Sequence, residues 1–257
     1  MVSILAINCN LIYTAGKESC ISLLRIHMYL VTAATDFEMK PFLAEYRSEG
    51  FAHLLTGVGP VETAVRVDSW LHQHGEKVAG VINFGVAGAY IHSAGKKGPR
   101  LLDVCIAERE VLGDLGVCMH DRIEPLAGKG LRSPDSFVMD PLLLSKTREI
   151  FLAEQVPFYS GTFVTVSCAS GTAIRGNMLA EQHKGLCENM EGAAVARVCS
   201  AFGLPCLEIR CISNMVEDRD TSRWQLQNAC VRSAQVTSFV VRHLVNQLPV
   251  PIESSDI

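Results

Sequence analysis

The chain has 257 residues and a formal net charge of −4, and 48% of its residues are hydrophobic against 19% charged. This length and composition can bury a large core and exclude an intrinsically disordered chain. The acidic balance without a basic stripe argues against a nucleic-acid partner, and no apolar run reaches the ~18 residues of a membrane span, so no membrane partner is expected.

The first predicted element is an N-terminal extension over residues 1–27. Its apolar start, VSILAINCNLIYT, has no basic residue before it and no convincing cleavage site, which argues against a signal peptide. It is either an extra edge strand or a tail that an upstream start codon adds to a protein beginning at Met28. We favour the tail, because the periodic pattern begins at Met28 and continues as a single domain over residues 28–250.

The first half of this domain alternates strand and helix signals. A buried strand in HMYLVTAA precedes a helix through Lys40 to Tyr46, and a second strand in FAHLLTGVGP precedes a helix from Val61 to about His74. A third strand, VAGVINFGVAGAY, is predicted to end in a turn of small residues at 85–88.

The second half continues the same alternation. Strands in DVCIAERE and GTFVTVSC flank a helix near residues 142–154. They are followed by a helix from about Met190 to Phe202, a strand in PCLEIRCIS and a helix over about 224–247. Near-continuous apolar strands between helices indicate a sheet that helices cover on both faces. The predicted fold class is α/β, a three-layer α/β/α sandwich with a central mixed, twisted sheet.

In such sheets, ligands bind beyond the carboxyl ends of the strands. This rule places five groups of residues near one rim of the sheet. They are Glu38, Gly59, residues 85–88, residues 167–172, and the pair Ser213 and Asn214.

Cysteines and histidines give no metal pattern. The ten cysteines include no CxxC pair and most lie in apolar runs, where a free cysteine acts as a small hydrophobe. This scatter favours a reducing, cytoplasmic compartment over a disulfide framework. His72 and His74 are two residues apart on a predicted helix and cannot share a face. We expect no metal and no other cofactor.

Glu191 and Arg210 are the polar residues that most need an explanation. An acid in the first turn of a helix is common, because it complements the helix dipole by ~0.3–1 kcal/mol. However, the helix that follows Glu191 is mostly apolar, so this carboxylate is expected to be buried and to need a partner. Arg210 lies inside a buried strand, where a guanidinium is costly unless a carboxylate pairs with it. We expect that partner to be Glu191 or Glu38.

Glu38 and Asn214 are weak signals when taken alone. Glu38 could be a solvated acid at a helix start, and Asn214 could be an asparagine at a strand-to-turn junction. Their convergence with Glu191 and Arg210 at one rim predicts a ligand site.

Four segments resemble the nucleoside phosphorylase and nucleosidase superfamily: NFGVAGAY, NMEGAAVARVC, GLPCLEIRCIS and EVLGDLG. The similarity runs essentially from Met28 to the final helix, and the Met-Glu helix start with the Arg-x-Ile-Ser strand end is its specific signature. Within the superfamily, these segments are most similar to the futalosine hydrolase family, a relative of the methylthioadenosine/S-adenosylhomocysteine nucleosidases. The resemblance implies a nucleoside phosphorylase-like fold, a small-molecule nucleoside substrate and a homo-oligomer, dimeric or larger.

The resemblance also implies roles for the candidate catalytic residues. Glu191 corresponds to the carboxylate that binds the ribose hydroxyls, with Met190 against the sugar, and Glu38 corresponds to the glutamate that holds and deprotonates the attacking water. Arg210 corresponds to an arginine near that water. Because cleavage of an N-glycosidic bond builds positive charge on the sugar, Glu191 would bind more strongly in the transition state, and Glu38 would act as general base.

The same resemblance implies that Ser213 and Asn214 contact the purine and that Gly85, Val86 and Ala87 lie beside the sugar. Adenine-specific relatives have aspartate where this chain has Asn214. An amide can donate to a 6-oxo group and accept from N7–H, whereas a carboxylate would face that 6-oxo group acceptor to acceptor. We therefore expect hydrolysis of futalosine to hypoxanthine and dehypoxanthine futalosine, a reaction of menaquinone biosynthesis.

Three alternatives stay open: a methylthioadenosine/S-adenosylhomocysteine nucleosidase, a purine nucleoside phosphorylase and a non-catalytic purine-nucleoside binding protein. A phosphorylase usually holds its phosphate with arginines, and TAATDFEMKPF contains none. The chain also departs from the nucleosidases at Val86, where they have serine, and near Ala169 and Ser170, where they have a purine-stacking aromatic residue. Thr172 and Phe84 are our candidates for that stacking role.

Overall fold

The computed structural model describes residues 28–46, 49–91, 98–126 and 133–248. The predicted N-terminal extension lies outside the described residues, and so do residues 92–97 and 127–132.

The elements follow the predicted alternation and add several short strands. In chain order, the strands and helices are β1 (Met28–Ala33), α1 (Asp36–Glu45), β2 (Phe51–Leu55), α2 (Pro60–His74), β3 (Val78–Tyr90), β4 (Val104–Leu112), β5 (Val117–Cys118), β6 (Ile123–Glu124), β7 (Ser136–Val138), α3 (Pro141–Ala153), β8 (Phe158–Thr165), α4 (Ala173–His183), β9 (Gly185–Asn189), α5 (Gly192–Phe202), β10 (Cys206–Val216) and α6 (Leu226–Val245).

The central sheet is mixed, as predicted. Its strand order is β10-β4-β8-β9-β3-β1-β2, and β10 also pairs with β3. Because of that additional pairing, β3, β10, β4, β8 and β9 form a closed ring of strands. Helices pack around this sheet in two groups, α1 with α6 and α3, and α2 with α5. The predicted α/β class is confirmed, and the closure of five strands is a feature that apolar patterning alone did not indicate.

Helix α1 begins at Asp36, near the helix start predicted around Glu38, and it ends at Glu45 with Tyr46 as its C-cap. Thr35 is its N-cap, and the Glu38 carboxylate accepts from the backbone N–H of Thr35 in a capping box. This reciprocal cap satisfies donors that a helix start otherwise leaves free. It also buries Glu38, so the alternative of a solvated acid is wrong.

The predicted turn at residues 85–88 is also wrong, because β3 continues to Tyr90. Strand β10 pairs with this stretch in parallel from Arg210 opposite Gly85 to Asn214 opposite Gly88 and onward, and the register shifts between Ile212 and Asn214. Asn214 accordingly lies within β10 and not at its end. The small residues of β3 mark places where side chains of neighbouring elements come close to the backbone.

Helix α4 and strand β9 were not predicted. Few side chains of α4 are buried (Gly176, Leu179 and Ala180), so its apolar periodicity is weak. Strand β9 ends in polar residues that are nevertheless buried, Glu188 and Asn189. Prediction from hydrophobic periodicity assumes that buried residues are apolar, so it misses a strand whose buried residues are polar.

Candidate active site

A cavity of about 260 Å³ lies where the carboxyl ends of β1, β3 and β10 meet the starts of α1 and α5. Eight of the predicted site residues line it. They are Glu38, Val86, Ala87, Met190, Glu191, Arg210, Ser213 and Asn214. Glu38 and Glu191 therefore face one cavity, which is the arrangement that the predicted chemistry requires.

Gly85 lies behind this lining and separates two charged groups. A Cβ at Gly85 would overlap Oε1 of Glu38 and would lie 2.7 Å from Nη1 of Arg210. Only a residue without a side chain leaves room for both. We predicted that Gly85 lies beside the sugar. In the structure, Gly85 lies directly beside the charged groups of Glu38 and Arg210.

Glu38 is held by three donors from two elements. Its Oε2 accepts from the backbone N–H and the hydroxyl of Thr35, at 3.0 and 2.8 Å, and its Oε1 accepts from the backbone N–H of Val86 at 3.2 Å. A carboxylate has about four acceptor positions. One position thus stays available for a water molecule or a substrate hydroxyl.

Glu191 occupies the N-cap of α5 and is tied to two other parts of the chain. Its Oε1 accepts from the backbone N–H of Gly59 at 3.0 Å, and its Oε2 lies 3.4 Å from Nη2 of Arg210. Burial and the carboxylates of Glu38 and Glu208 raise the pKa of Glu191 above its ordinary value, although Arg210 and the Gly59 N–H lower it. The carboxylate that we predicted to need a partner has one.

Arg210 is 1% exposed and joins three groups. Its Nε donates to Glu208 at 2.8 Å, its Nη1 donates to the Val86 carbonyl at 3.2 Å, and its Nη2 pairs with Glu191. Burial alone would lower the pKa of Arg210, but the carboxylates of Glu208, Glu191 and Glu38 raise it above its ordinary value. Arg210 is a permanent cation that orients the site.

Behind Arg210, Glu110 and Glu208 form a buried pair of acids. Both are essentially inaccessible, at 0% and 1% exposure, and a Cβ at Gly192 would overlap oxygens of both. Burial and the neighbouring Glu208 raise the pKa of Glu110 well above its usual 4.5. Two ionised carboxylates this close repel each other strongly, which favours a proton on Glu110.

Asn189 organises the start of α5 and is a residue that sequence reasoning missed. Its Oδ1 accepts from the backbone N–H groups of Glu191 and Gly192, at 2.9 and 2.7 Å, and its Nδ2 donates to Glu110 at 2.7 Å. Asn189 therefore connects the buried acid pair to the helix start that carries Glu191. The signal that could have found it is an asparagine directly before the Met-Glu helix start, a position where a cap is favourable.

At the other end of the cavity, Ser213 and Asn214 form a hydrogen-bonded pair. The Ser213 hydroxyl lies 2.8 Å from Oδ1 of Asn214, and Nδ2 of Asn214 donates to the Met215 carbonyl at 3.3 Å. Glu188, which we did not predict, lines the same end and accepts from the backbone N–H of Ser170 at 2.8 Å.

Neither predicted stacking residue lines the cavity. Phe84 is fully buried in the core, and Thr172 caps α4 through a side-chain bond to the backbone N–H of Arg175. The aromatic side chains of the lining are Phe37, which is 78% exposed, and Trp224, whose ring centroid lies 4.8 Å from the guanidinium carbon of Arg219.

Cys230 also lines the cavity, but its thiol is not an activated nucleophile. Burial and the nearby Glu38 raise its pKa to about 12. Since the thiolate is the reactive form, this cysteine stays neutral and inert at physiological pH.

The described residues contain no group of three or more His, Cys, Asp and Glu side chains arranged to hold a metal ion. No helix in the described part of the chain is long and apolar enough to cross a bilayer.

Comparison with known proteins places this geometry in a family. The model of the phosphorylase superfamily matches residues 41–246. The chain is 31% identical over 188 residues to a futalosine hydrolase of Thermus thermophilus, covering 71% of this chain and 77% of that protein. It is 30% identical over 185 residues to a futalosine hydrolase of Streptomyces coelicolor, covering 70% of this chain and 74% of the relative.

More distant relatives include a 5′-methylthioadenosine/S-adenosylhomocysteine nucleosidase of Staphylococcus epidermidis, 23% identical over 74% of this chain and 80% of the relative. Among solved structures, the native futalosine hydrolase of Helicobacter pylori superposes with a TM-score of 0.73 at 20% identity, covering 85% of this chain and 98% of that structure. This structural likeness confirms the nucleoside phosphorylase-like fold.

Proposed function

The chain belongs to the phosphorylase superfamily, and on that premise we propose that it is an N-glycosyl hydrolase that cleaves futalosine to hypoxanthine and dehypoxanthine futalosine. The observation that carries this proposal is the joint placement of Glu38, Glu191 and Asn214 in one cavity, with Arg210 paired to Glu191 and close to Glu38 at Gly85. The curated relatives that are futalosine hydrolases support the choice of substrate.

Glu38 is the general base in this proposal. Its three protein donors fix the carboxylate, and its remaining acceptor position binds the attacking water. Transfer of a proton from that water to Glu38 creates the nucleophile as the glycosidic bond breaks. A positioned base of this kind contributes ~10²–10⁴-fold to the rate.

Glu191 binds the ribose hydroxyls. Gly59 and Arg210 hold one lone pair on each of its oxygens and leave the others for the sugar. As the bond to the base breaks, the sugar ring becomes positively charged, and its hydroxyls donate more strongly to the carboxylate. Glu191 therefore stabilises the transition state more than the bound substrate, with Met190, Val86 and Ala87 beside the sugar.

Ser213 and Asn214 bind the leaving purine. The amide of Asn214 exchanges its bonds to Ser213 and Met215 for a bond from its Nδ2 to O6 and a bond from N7–H to its Oδ1. The departing base takes that N7 proton from solvent, because the amide has none to give, and Glu38 returns the proton of the attacking water to solvent. A neutral amide can serve a 6-oxo group as donor, which a carboxylate at this position cannot. This residue is the specific reason to favour futalosine over methylthioadenosine.

Water is favoured over phosphate as the nucleophile. A phosphate would need cationic donors, but Arg210 already donates to Glu208, the Val86 carbonyl and Glu191. A phosphate dianion near the sugar would also meet the carboxylates of Glu38 and Glu191, at a cost that charge repulsion in a buried site makes large.

Four further features belong to the proposal. The nucleosidase domain spans residues 28–250, and the described cysteines are free, which supports a reducing, cytoplasmic compartment. We infer a homo-oligomer, dimeric or larger. The apolar side chains of Phe37, Val58 and Val61 are exposed at or near the cavity, and contact with a second subunit would bury them. The reaction would serve menaquinone biosynthesis.

A substrate panel tests the proposal. Futalosine, methylthioadenosine and inosine are incubated separately with the protein, and the released base is measured by chromatography. We expect hypoxanthine from futalosine at the highest kcat/KM. Faster release of adenine from methylthioadenosine would identify the nucleosidase alternative, and ligand binding without any base release would identify a binding protein.

A further inference from the structure

Glu188 is the acidic residue of the described cavity lining that the proposed chemistry does not use. It lies at the end of β9 and is 7% exposed. Its Oε1 accepts from the backbone N–H of Ser170 at 2.8 Å, but its Oε2 is buried without a hydrogen-bond partner among the described residues. The hydroxyls of Tyr90 and Ser170 act on this carboxyl group but are not within hydrogen-bond distance of that oxygen, and a ligand in the cavity that Glu188 lines can supply the missing donor.

The sheet register places Glu188 in one row with Asn214. Gly88 of β3 is paired with Asn214 on β10 and with Glu188 on β9. Residues paired across neighbouring strands point to the same face of a sheet. A Cβ at Gly88 would lie 3.0 Å from Nδ2 of Asn214 and 3.6 Å from Cγ of Glu188. The two polar side chains therefore flank Gly88, where the Val216 side chain also packs, with its Cγ2 2.9 Å from that Cβ position.

A 6-oxopurine carries a complementary row of groups along one edge. Its N1–H is a donor, its O6 is an acceptor, and N7 follows on the same side. A 6-aminopurine carries a lone pair at N1 and a donor at C6. An ionised carboxylate only accepts hydrogen bonds, so at N1 it attracts the first base and repels the second.

We propose that Glu188 accepts the N1–H of the purine while Asn214 binds O6 and N7, so that the two residues beside Gly88 together select a 6-oxopurine. The proposal rests on the proposed function for the identity of the bound base. It adds a specificity-determining residue that acts at a different atom of the base from Asn214.

The pKa of Glu188 is raised above its ordinary value, and burial is the main cause. The Ser170 hydroxyl and N–H, the Tyr90 hydroxyl and the guanidinium of Arg175 act against burial and limit this rise in pKa. These groups come from the loop after β8, from β3 and from α4. They provide charge and donors around the carboxyl group that a purely apolar pocket would lack.

A competing explanation is that Glu188 only fixes the loop at Ser170. If Glu188 only anchors the loop, its substitution should weaken the binding of every purine equally. If Glu188 binds N1–H, its substitution should change the affinity for one base relative to the other. The ratio of hypoxanthine to adenine affinity, measured by calorimetry, separates the two roles. This binding measurement requires no turnover, so it can fail or succeed independently of futalosine hydrolysis.

The principal variant is Glu188→Gln, because an amide keeps the shape and can offer either a donor or an acceptor to N1. We expect the hypoxanthine-to-adenine affinity ratio to fall roughly 10- to 100-fold, the range of one charge-assisted hydrogen bond. The matched control is Glu149→Gln, on the exposed face of α3, which should leave the ratio unchanged. An unchanged ratio in Glu188→Gln, or an equal loss for both bases, would overturn the proposal.

A measurement on the wild-type protein covers the case in which the variant does not fold. 1-Methylhypoxanthine has no N1–H, and we expect it to bind at least roughly 10-fold more weakly than hypoxanthine. Equal binding of these two bases would show that nothing in the cavity accepts from N1, and would contradict the role of Glu188.

Discussion

Glu38 and Arg210 both reach the position where a side chain on Gly85 would begin. A Cβ at Gly85 would overlap Oε1 of Glu38 and would lie 2.7 Å from Nη1 of Arg210. The next residue, Val86, bonds to both: its N–H donates to Glu38 and its carbonyl accepts from Arg210. The proposed base and the cation that orients Glu191 are thus fixed by one short stretch of β3.

Gly85→Ala should therefore disable the site while leaving the fold intact. The added methyl group must displace Glu38 or Arg210, and misplacement of a reacting group by about 1 Å can cost roughly 10²-fold in rate. We expect kcat to fall by at least that factor, measured as hypoxanthine release. Gly171→Ala is the matched control, because no atom lies within 4 Å of its Cβ position. Full activity of Gly85→Ala would mean that the positions of the two charged groups do not matter.

Glu38→Gln should abolish turnover and spare binding. The amide nearly keeps the shape of the side chain but cannot accept the proton from water, so we expect kcat to fall by ~10²–10⁴-fold with a KM within a few-fold of the wild type. Steady-state kinetics measures both constants. Glu62→Gln, which alters an exposed first-turn acid of α2, is the control. Loss of binding in parallel with turnover would indicate that Glu38 is structural.

Asn214→Asp should reverse the preference between bases. A carboxylate faces O6 acceptor to acceptor but can accept from a 6-amino group. We expect kcat/KM for futalosine to fall relative to that for its 6-amino analogue, by a factor that can reach ~10⁴ for a mismatched hydrogen-bonding site. Competition between the two substrates in one reaction gives this ratio directly. If selectivity stays the same, Asn214 does not bind the 6-substituent.

Glu110→Gln should change how stability depends on pH. The folded state raises the pKa of Glu110 above its usual 4.5, so the folded state binds a proton that the unfolded state releases. The free energy of unfolding should therefore fall as pH rises from about 4.5 towards the raised pKa, with a slope of up to about 1.4 kcal/mol per pH unit from this group. The amide that replaces the carboxyl group in the variant has no proton to lose over this range.

Urea unfolding of both proteins at several pH values measures this effect. The free energy of unfolding of Glu110→Gln, taken relative to that of the wild type, should increase as pH rises. A difference that is constant with pH would show that Glu110 does not hold its proton.

Local patterns in the sequence predicted the fold class and the residues that gather at one rim. Apolar strands between helices are a strong signal, and Arg210 in a buried strand required a carboxylate partner that the structure supplies in Glu191 and Glu208. The residues Glu110, Glu188 and Asn189 could not be found in this way. Each is polar, and its burial depends on pairings between strands far apart in the chain, such as Gly88 with both Glu188 and Asn214.

Errors in element boundaries had the same origin. The glycines of β3 indicated a turn, because glycine often ends a strand. In the folded chain, β10 and β9 pair with that stretch and keep it extended, and the space left by the missing side chains receives Glu38, Arg210 and Asn214. Tertiary pairing outweighed the local preference.

The most direct test of the account is the release of hypoxanthine from futalosine by the purified protein in phosphate-free buffer, and again with phosphate added. We predict the same rate in both, with dehypoxanthine futalosine as the second product. Release only with phosphate, with a sugar phosphate as second product, or no release under either condition would contradict it.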